Sequence, residues 1–160
     1  MVGVAINSLG LIKKVYPGWR ETVREFLDYW EDLRRDLGIS QVTHVGVRFQ
    51  NLFSGRTWAA LRQPFPQSYL RWASDENIVA HEGTFRFKRG LGEMVVRIAL
   101  NKEDRKLLMD FDAFGRNVDA EEVPELLDVY HSDIESEFLS LLRQDYADKL
   151  LALKAKEGGI

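Results

Sequence analysis

The sequence predicts an α+β fold, in which an antiparallel sheet of about four to five strands carries one helix from the N-terminal half and a long C-terminal helix on one face. Three observations lead there. Apolar residues recur at helical spacing over residues 19–37, alternate from Val42 onward, and return to helical spacing after Asp119. The alternating segments are joined by short links, Arg89-Gly90-Leu91-Gly92 and Asn101-Lys102-Glu103-Asp104, of the kind antiparallel hairpins use. Finally, 160 residues suffice for one ordinary hydrophobic core and fall short of two, so residues 1–160 read as a single domain.

The elements follow in order. Residues 2–15 read as extended, a short hairpin or bent strand around Asn7-Ser8 and Gly10. Tyr16-Pro17-Gly18 breaks the chain, and a helix then runs from Trp19 with Val23, Phe26, Leu27, Trp30, Leu33 and Leu37 on its apolar side, closed by Gly38. Its other side, with Arg20, Glu21, Arg24, Asp28, Glu31 and Arg35, reads as solvated and laced by i,i+4 ion pairs. Val45, Val47 and Phe49 alternate with His44, Gly46, Arg48 and Gln50, which is a strand with one apolar and one mixed face. Residues 53–76, interrupted by Pro64 and Pro66 and rich in aromatics, read as an irregular connection with one short helical turn.

Strands at 77–88, 93–101 and 105–114 complete an antiparallel meander. After Asp119, an N-cap residue followed by Glu121 and Glu122, a helix with a break or bend near Pro124 is expected to run to about Leu153. Leu127, His131, Ile134, Phe138, Leu141 and Asp145 form its stripe, with Leu142 and Leu150 beside it. Residues 154–160 read as a frayed tail.

Composition narrows the function classes. Hydrophobic residues at 45% and charged residues at 29% fit a globular domain. No apolar run reaches the roughly 18 to 20 residues of a spanning helix, and the N-terminus lacks the pattern of a secretory signal, so no membrane association and a cytoplasmic location are expected. Cysteine is absent, which excludes disulfides, thiolate catalysis and cysteine metal sites. The net charge of -3, with basic residues scattered among acidic ones, argues against nucleic-acid binding.

The segment Leu107-Leu108-Met109-Asp110-Phe111-Asp112-Ala113-Phe114 carries the candidate chemistry, because alternation puts Asp110 and Asp112 on one face of a strand. Two neighbouring carboxylates are either solvated, or paired with cross-strand cations such as Arg48, Arg97 or Arg86, or part of a site that wants negative charge. A buried version requires arginine pairing or a hard cation. His131 lies on the apolar stripe of the last helix and is expected to face the sheet, so Arg48, Asn51, Asp110, Asp112 and His131 read as one sheet-and-helix polar network. Trp58, Phe65 and Trp72 in the aromatic connection are candidates for lining a pocket. His44, His81 and His131 are too dispersed for a zinc site, and no nucleophile motif or phosphate-cradling loop is present, so neither a metal nor a cofactor is expected.

Four motifs occur in order: Tyr16-Pro17-Gly18-Trp19 at the start of the first helix, Val45-Gly46-Val47-Arg48-Phe49-Gln50-Asn51, Met109-Asp110-Phe111-Asp112-Ala113-Phe114, and His131-x-x-Ile134-x-x-x-Phe138. Together they resemble the "sporadically distributed protein" family of uncharacterised bacterial and archaeal proteins, over roughly residues 10–145. Two departures stand out. His44 lies near where the family has the first arginine of its strand motif, and the chain begins where the middle of a family member would. The resemblance implies the α+β fold and the set Arg48, Asn51, Asp110, Asp112 and His131, and brings no activity. It also implies that strands before residue 10 are missing, leaving an open sheet edge that favours a dimer or a protein partner.

The functional expectation is a non-catalytic binding or protein-interaction domain that acts through a sheet edge or the aromatic connection, with a protein partner or a second copy as its ligand. The alternative is a helix-grip-like domain in which the long helix closes a small-molecule cavity lined by Trp58, Phe65, Trp72 and the polar set. An enzyme using Asp110, Asp112 and His131 ranks third, for want of a nucleophile or metal cluster beside them.

Overall fold

The computed structural model describes residues 8–13, 17–66 and 79–156. Within them the chain runs α1 (Trp19–Leu37), β1 (Gln41–Ser54), α2 (Trp58–Arg62), β2 (Ala80–Arg89), β3 (Gly92–Asn101), β4 (Lys106–Asp119), a 3-10 turn (Ala120–Glu122), α3 (Val123–Ser140) and α4 (Gln144–Lys156). The four strands form one antiparallel sheet in the order β1-β4-β3-β2, which is the expected α+β architecture. The expected 2–15 strand falls largely outside the described residues, and residues 8–13 carry no regular secondary structure. Lys13 ties this segment to Glu25 of α1 by an ion pair.

Cross-strand register fixes the two faces of the sheet. Phe111 of β4 sits opposite Phe49 of β1 and Val96 of β3, and Met109 opposite Asn51 and Ile98. Because strand side chains alternate, these residues share one face, and on it lies α3. Phe138 of α3 meets Phe111 edge-on at 6.0 Å and Phe53 at 6.3 Å. Phe111, Met94 and Leu107 are fully buried beneath, each worth about 1.5–3 kcal/mol in hydrophobic transfer. α1 lies beside α3, where Trp19 stacks on His131 and donates from Nε1 to the Asp128 carboxylate at 2.6 Å. Gly38 closes α1 in a left-handed conformation, φ 64°, which a residue lacking Cβ adopts without strain. The solvated side of α1 holds its ion pairs at i,i+3, Glu31 with Arg34 and Asp32 with Arg35, in place of the i,i+4 spacing expected.

Three boundaries differ from the sequence reading. β4 continues five residues past Phe114: Gly115-Arg116-Asn117 interrupts the apolar alternation, yet Gly115, Arg116, Val118 and Asp119 still pair with β1, while Asn117 turns left-handed at φ 53°. Pro124 does not break the last helix: it occupies the first turn of α3, where a missing N–H costs nothing. The interruption falls at residues 141–143 instead, where the Arg143 N–H leaves the helix ladder to donate to the Pro64 carbonyl at 2.8 Å. The Asp119 carboxylate caps no helical N–H and accepts from the Gln41 amide across the β1–β4 pair at 3.2 Å.

Of the expected 53–76 connection, residues 67–76 lie outside the described residues; the part that follows β1 forms the helical turn α2 through a side-chain cap, Thr57 Oγ1 accepting from Ala60 N–H at 3.2 Å. Leu61 and Phe65, both 4% exposed, anchor it to the core. Thr57→Ala is expected to cost about 1 kcal/mol, read as a lower urea midpoint with unchanged slope.

Candidate functional site

β4 runs between β1 and β3, and its even-numbered residues from Leu108 to Arg116 point away from α3. Asp110 lies opposite Gln50 and Arg97, and Asp112 opposite Arg48 and Val95. The Arg48 guanidinium bypasses its direct neighbour Asp112 and closes a two-pronged contact on Asp110, Nε to Oδ1 at 2.8 Å and Nη2 to Oδ2 at 2.6 Å. Arg97 Nη1 donates to the same Oδ2 at 3.2 Å. Two guanidiniums thus converge on one carboxylate, in the fork geometry that gives such pairs their strength.

Burial is divided unequally. The Asp110 side chain is 3% exposed although its face carries no described helix, whereas Arg48 and Arg97 are 49% and 39% exposed. The arginine stems roof the carboxylate and leave their cationic heads at the surface. The hydrogen bond from Arg48 holds the Asp110 pKa below the ordinary carboxylate value, joined by the Arg48 charge and hydrogen bonds from Arg97 and Gln50, against the opposing effect of burial. The hydrogen bond to Asp110 correspondingly raises the Arg48 pKa. Asp112 is half-buried beside Arg48 and makes neither a hydrogen bond nor an ion pair among the described residues.

Phe114, further along the same face, is 5% exposed beneath a polar cover. The His44 ring stacks on it at 4.9 Å, and the guanidiniums of Arg86 and Arg116 each lie 5.6 Å from its centroid. Arg86 also pairs with Glu93 at 2.8 Å. The open face therefore presents a continuous field of arginines, each held by a carboxylate or an aromatic ring beneath it.

The structure separates the set that sequence reading had grouped. Arg48, Asp110 and Asp112 share the open face, while Asn51, opposite Met109, lies on the helix face. His131 is there too, stacked on Trp19 at 4.3 Å and edge-on to Phe49 at 5.6 Å. The sheet stands between His131 and the two aspartates, so they cannot act on one substrate atom as acid and base. Trp58 belongs to α2 and packs against the helix-side core, and Trp72 lies outside the described residues. The reason for the split is parity: Arg48 and Asn51 are three residues apart on one strand, an odd spacing that sends them to opposite faces. The same parity puts Gln50, His44 and Phe114, which no sequence motif singles out, on the Asp110 face.

Among the described residues no group of three or more His, Asp or Glu side chains is placed to hold a metal ion. No described helix is long and apolar enough to cross a membrane. Comparison with protein-family models, with curated proteins and with solved structures gives no match for this chain.

Proposed function

We propose that this protein is a non-catalytic binding domain that engages a protein partner, a second copy of itself included, through the open face of its sheet and the neighbouring edge strand β1. The observation that supports this most directly is the Arg48–Asp110–Arg97 cluster: the carboxylate is occupied on both oxygens and so is poorly suited to proton transfer, while both guanidiniums keep outward donors at the surface. Such arginines are fixed before a partner arrives and lose little freedom when they bind it. β1, fourteen residues long, is hydrogen-bonded to β4 alone among the described strands, and Leu52 near its end is 64% exposed. A long edge of this kind favours strand addition by another chain. Kinship with the "sporadically distributed protein" family is part of the same proposal and rests on the order of the four motifs in the sequence.

Light scattering across a concentration series tests the self-association arm. A mass that rises toward a dimer, and falls back in Arg48→Glu, is the expected result; a monomer throughout leaves a different protein as the partner. Cross-linking to a partner that is unaffected by both Arg48→Glu and a proline at an outward-facing β1 N–H would overturn the reading.

A further inference from the structure

At the end of the sheet, where β1 stops and the β3–β4 turn reverses the chain, a shallow, largely open recess of about 420 Å³ lies between Ser54, Gly55, Arg56 and Arg105. It lies beyond the Arg48–Asp110–Arg97 cluster along β1 and β4 and does not depend on the function proposed for that cluster. Its walls are tied together by the backbone and by one guanidinium. The Gly55 N–H donates to the Arg105 carbonyl at 3.3 Å, and Arg105 Nη1 donates to the Arg56 carbonyl at 2.7 Å. The Arg105 head is thereby fixed across the recess with further N–H groups to spare.

Charge in the recess is not balanced from within. Among the described residues neither Arg56 nor Arg105 nor the adjacent Lys106 is paired with a carboxylate. Among the described residues, the adjoining turn carries Glu103 and Asp104, and Asp104 is engaged with Asn101, accepting from its Nδ2 at 3.2 Å and donating its N–H to Oδ1 at 3.0 Å. Arg105 itself has a positive φ of 52°, a turn position that glycine or asparagine fills more readily. An arginine at a backbone position that disfavours it points to a use for its side chain.

We propose that this recess binds a phosphate group, as inorganic phosphate or as a phosphate monoester, held between the Arg56 and Arg105 guanidiniums with the Ser54 hydroxyl as a further donor. Two planar forks and a hydroxyl match the several acceptor oxygens of a tetrahedral dianion better than they match a single carboxylate.

The test is an NMR titration of the full chain with inorganic phosphate and, in a second arm, with glycerol 3-phosphate, at constant ionic strength. Saturable shifts confined to the amides around residues 54–56 and 104–106 are expected, with affinity falling about tenfold or more in Arg56→Gln and in Arg105→Gly. Tighter binding of glycerol 3-phosphate assigns the site to a phosphate monoester, and equal or tighter binding of inorganic phosphate assigns it to the free ion. Shifts that do not saturate, that spread over lysine and arginine amides generally, or that persist unchanged in Arg56→Gln overturn the proposal. Arg56→Gln leaves the strained turn untouched, so it decides the matter even if Arg105→Gly alters folding.

Discussion

Replacing Gly115 by Ala is expected to destabilise the protein by about 2–3 kcal/mol, and adding Tyr130→Phe should recover most of that loss. The reason is a close approach on the helix side of the sheet. A Cβ built on Gly115 would lie far inside van der Waals contact with the Tyr130 hydroxyl, while its next neighbours, Tyr130 Cζ and Val118 Cγ2, are at an ordinary 3.4 Å. Overpacking at this position is therefore confined to one oxygen atom. That oxygen is itself poorly served: Tyr130 is 1% exposed, and its hydroxyl has no hydrogen-bond partner among the described residues. Burial, aided by the Asp133 charge, raises the Tyr130 pKa, so the hydroxyl stays protonated and neutral. Tyr130→Phe alone should then be neutral or stabilising by up to about 1 kcal/mol, because it removes a desolvated polar atom without breaking a bond. Urea unfolding of the four proteins of the cycle measures the coupling, expected at about 2 kcal/mol; additive effects would mean that α3 moves away from β4 more easily than its packing suggests.

The second large effect concerns the carboxylate under the arginines. Asp110→Asn is expected to cost about 2 kcal/mol at neutral pH, since two charge-assisted contacts from Arg48 and one from Arg97 lose their ionised acceptor. The exposed heads of both arginines can rehydrate, which keeps the loss below that of a fully buried ion pair. Asp112→Asn, two residues along, should change stability by less than about 0.5 kcal/mol, because among the described residues Asp112 holds no hydrogen bond or ion pair to lose. The pH dependence has a definite sign. Asp110 has a folded-state pKa below its unfolded value, so its stabilisation is complete above the ordinary carboxylate range and is lost as pH falls through the lowered folded value. The gap in urea midpoint between the parent and Asp110→Asn should narrow as pH is taken from 7 toward about 2, and a gap that widened on acidification would contradict the geometry.

The same cluster offers a way to separate stability from purpose. Replacing Arg48, Asp110 and Arg97 together by Met, Leu and Met removes both the attraction and the desolvation cost, a trade that is commonly neutral in stability. A triple variant as stable as the parent that no longer binds its partner would locate the function on this face. The single and triple variants thus bear on different links, one on folding and the other on recognition.

Much of this protein was determined by its sequence alone. The switch in apolar period from helix to strand and back, the hairpin links at 89–92 and 101–104, and the carboxylates of Asp110 and Asp112 on one strand face are local properties, set by side-chain spacing along a chain of known geometry. Arg48 and Arg97 as partners for that face were likewise legible, because cross-strand charge pairs need only a sheet and its alternation. The tertiary structure decided what depends on register and on which elements meet. Only the pairing of β1 with β4 puts Arg48 opposite Asp112, and only side-chain reach sends it to Asp110 instead, clamping one aspartate rather than the other. Only the placement of α3 on one face sets the sheet between His131 and the aspartates. Where the last helix breaks was settled by the distant Pro64 carbonyl rather than by Pro124, since a backbone N–H follows whichever acceptor the fold brings within reach. Contacts between residues far apart in the chain carry no local signature, and for that reason the arrangement at Asp110 became visible only once the strands were paired.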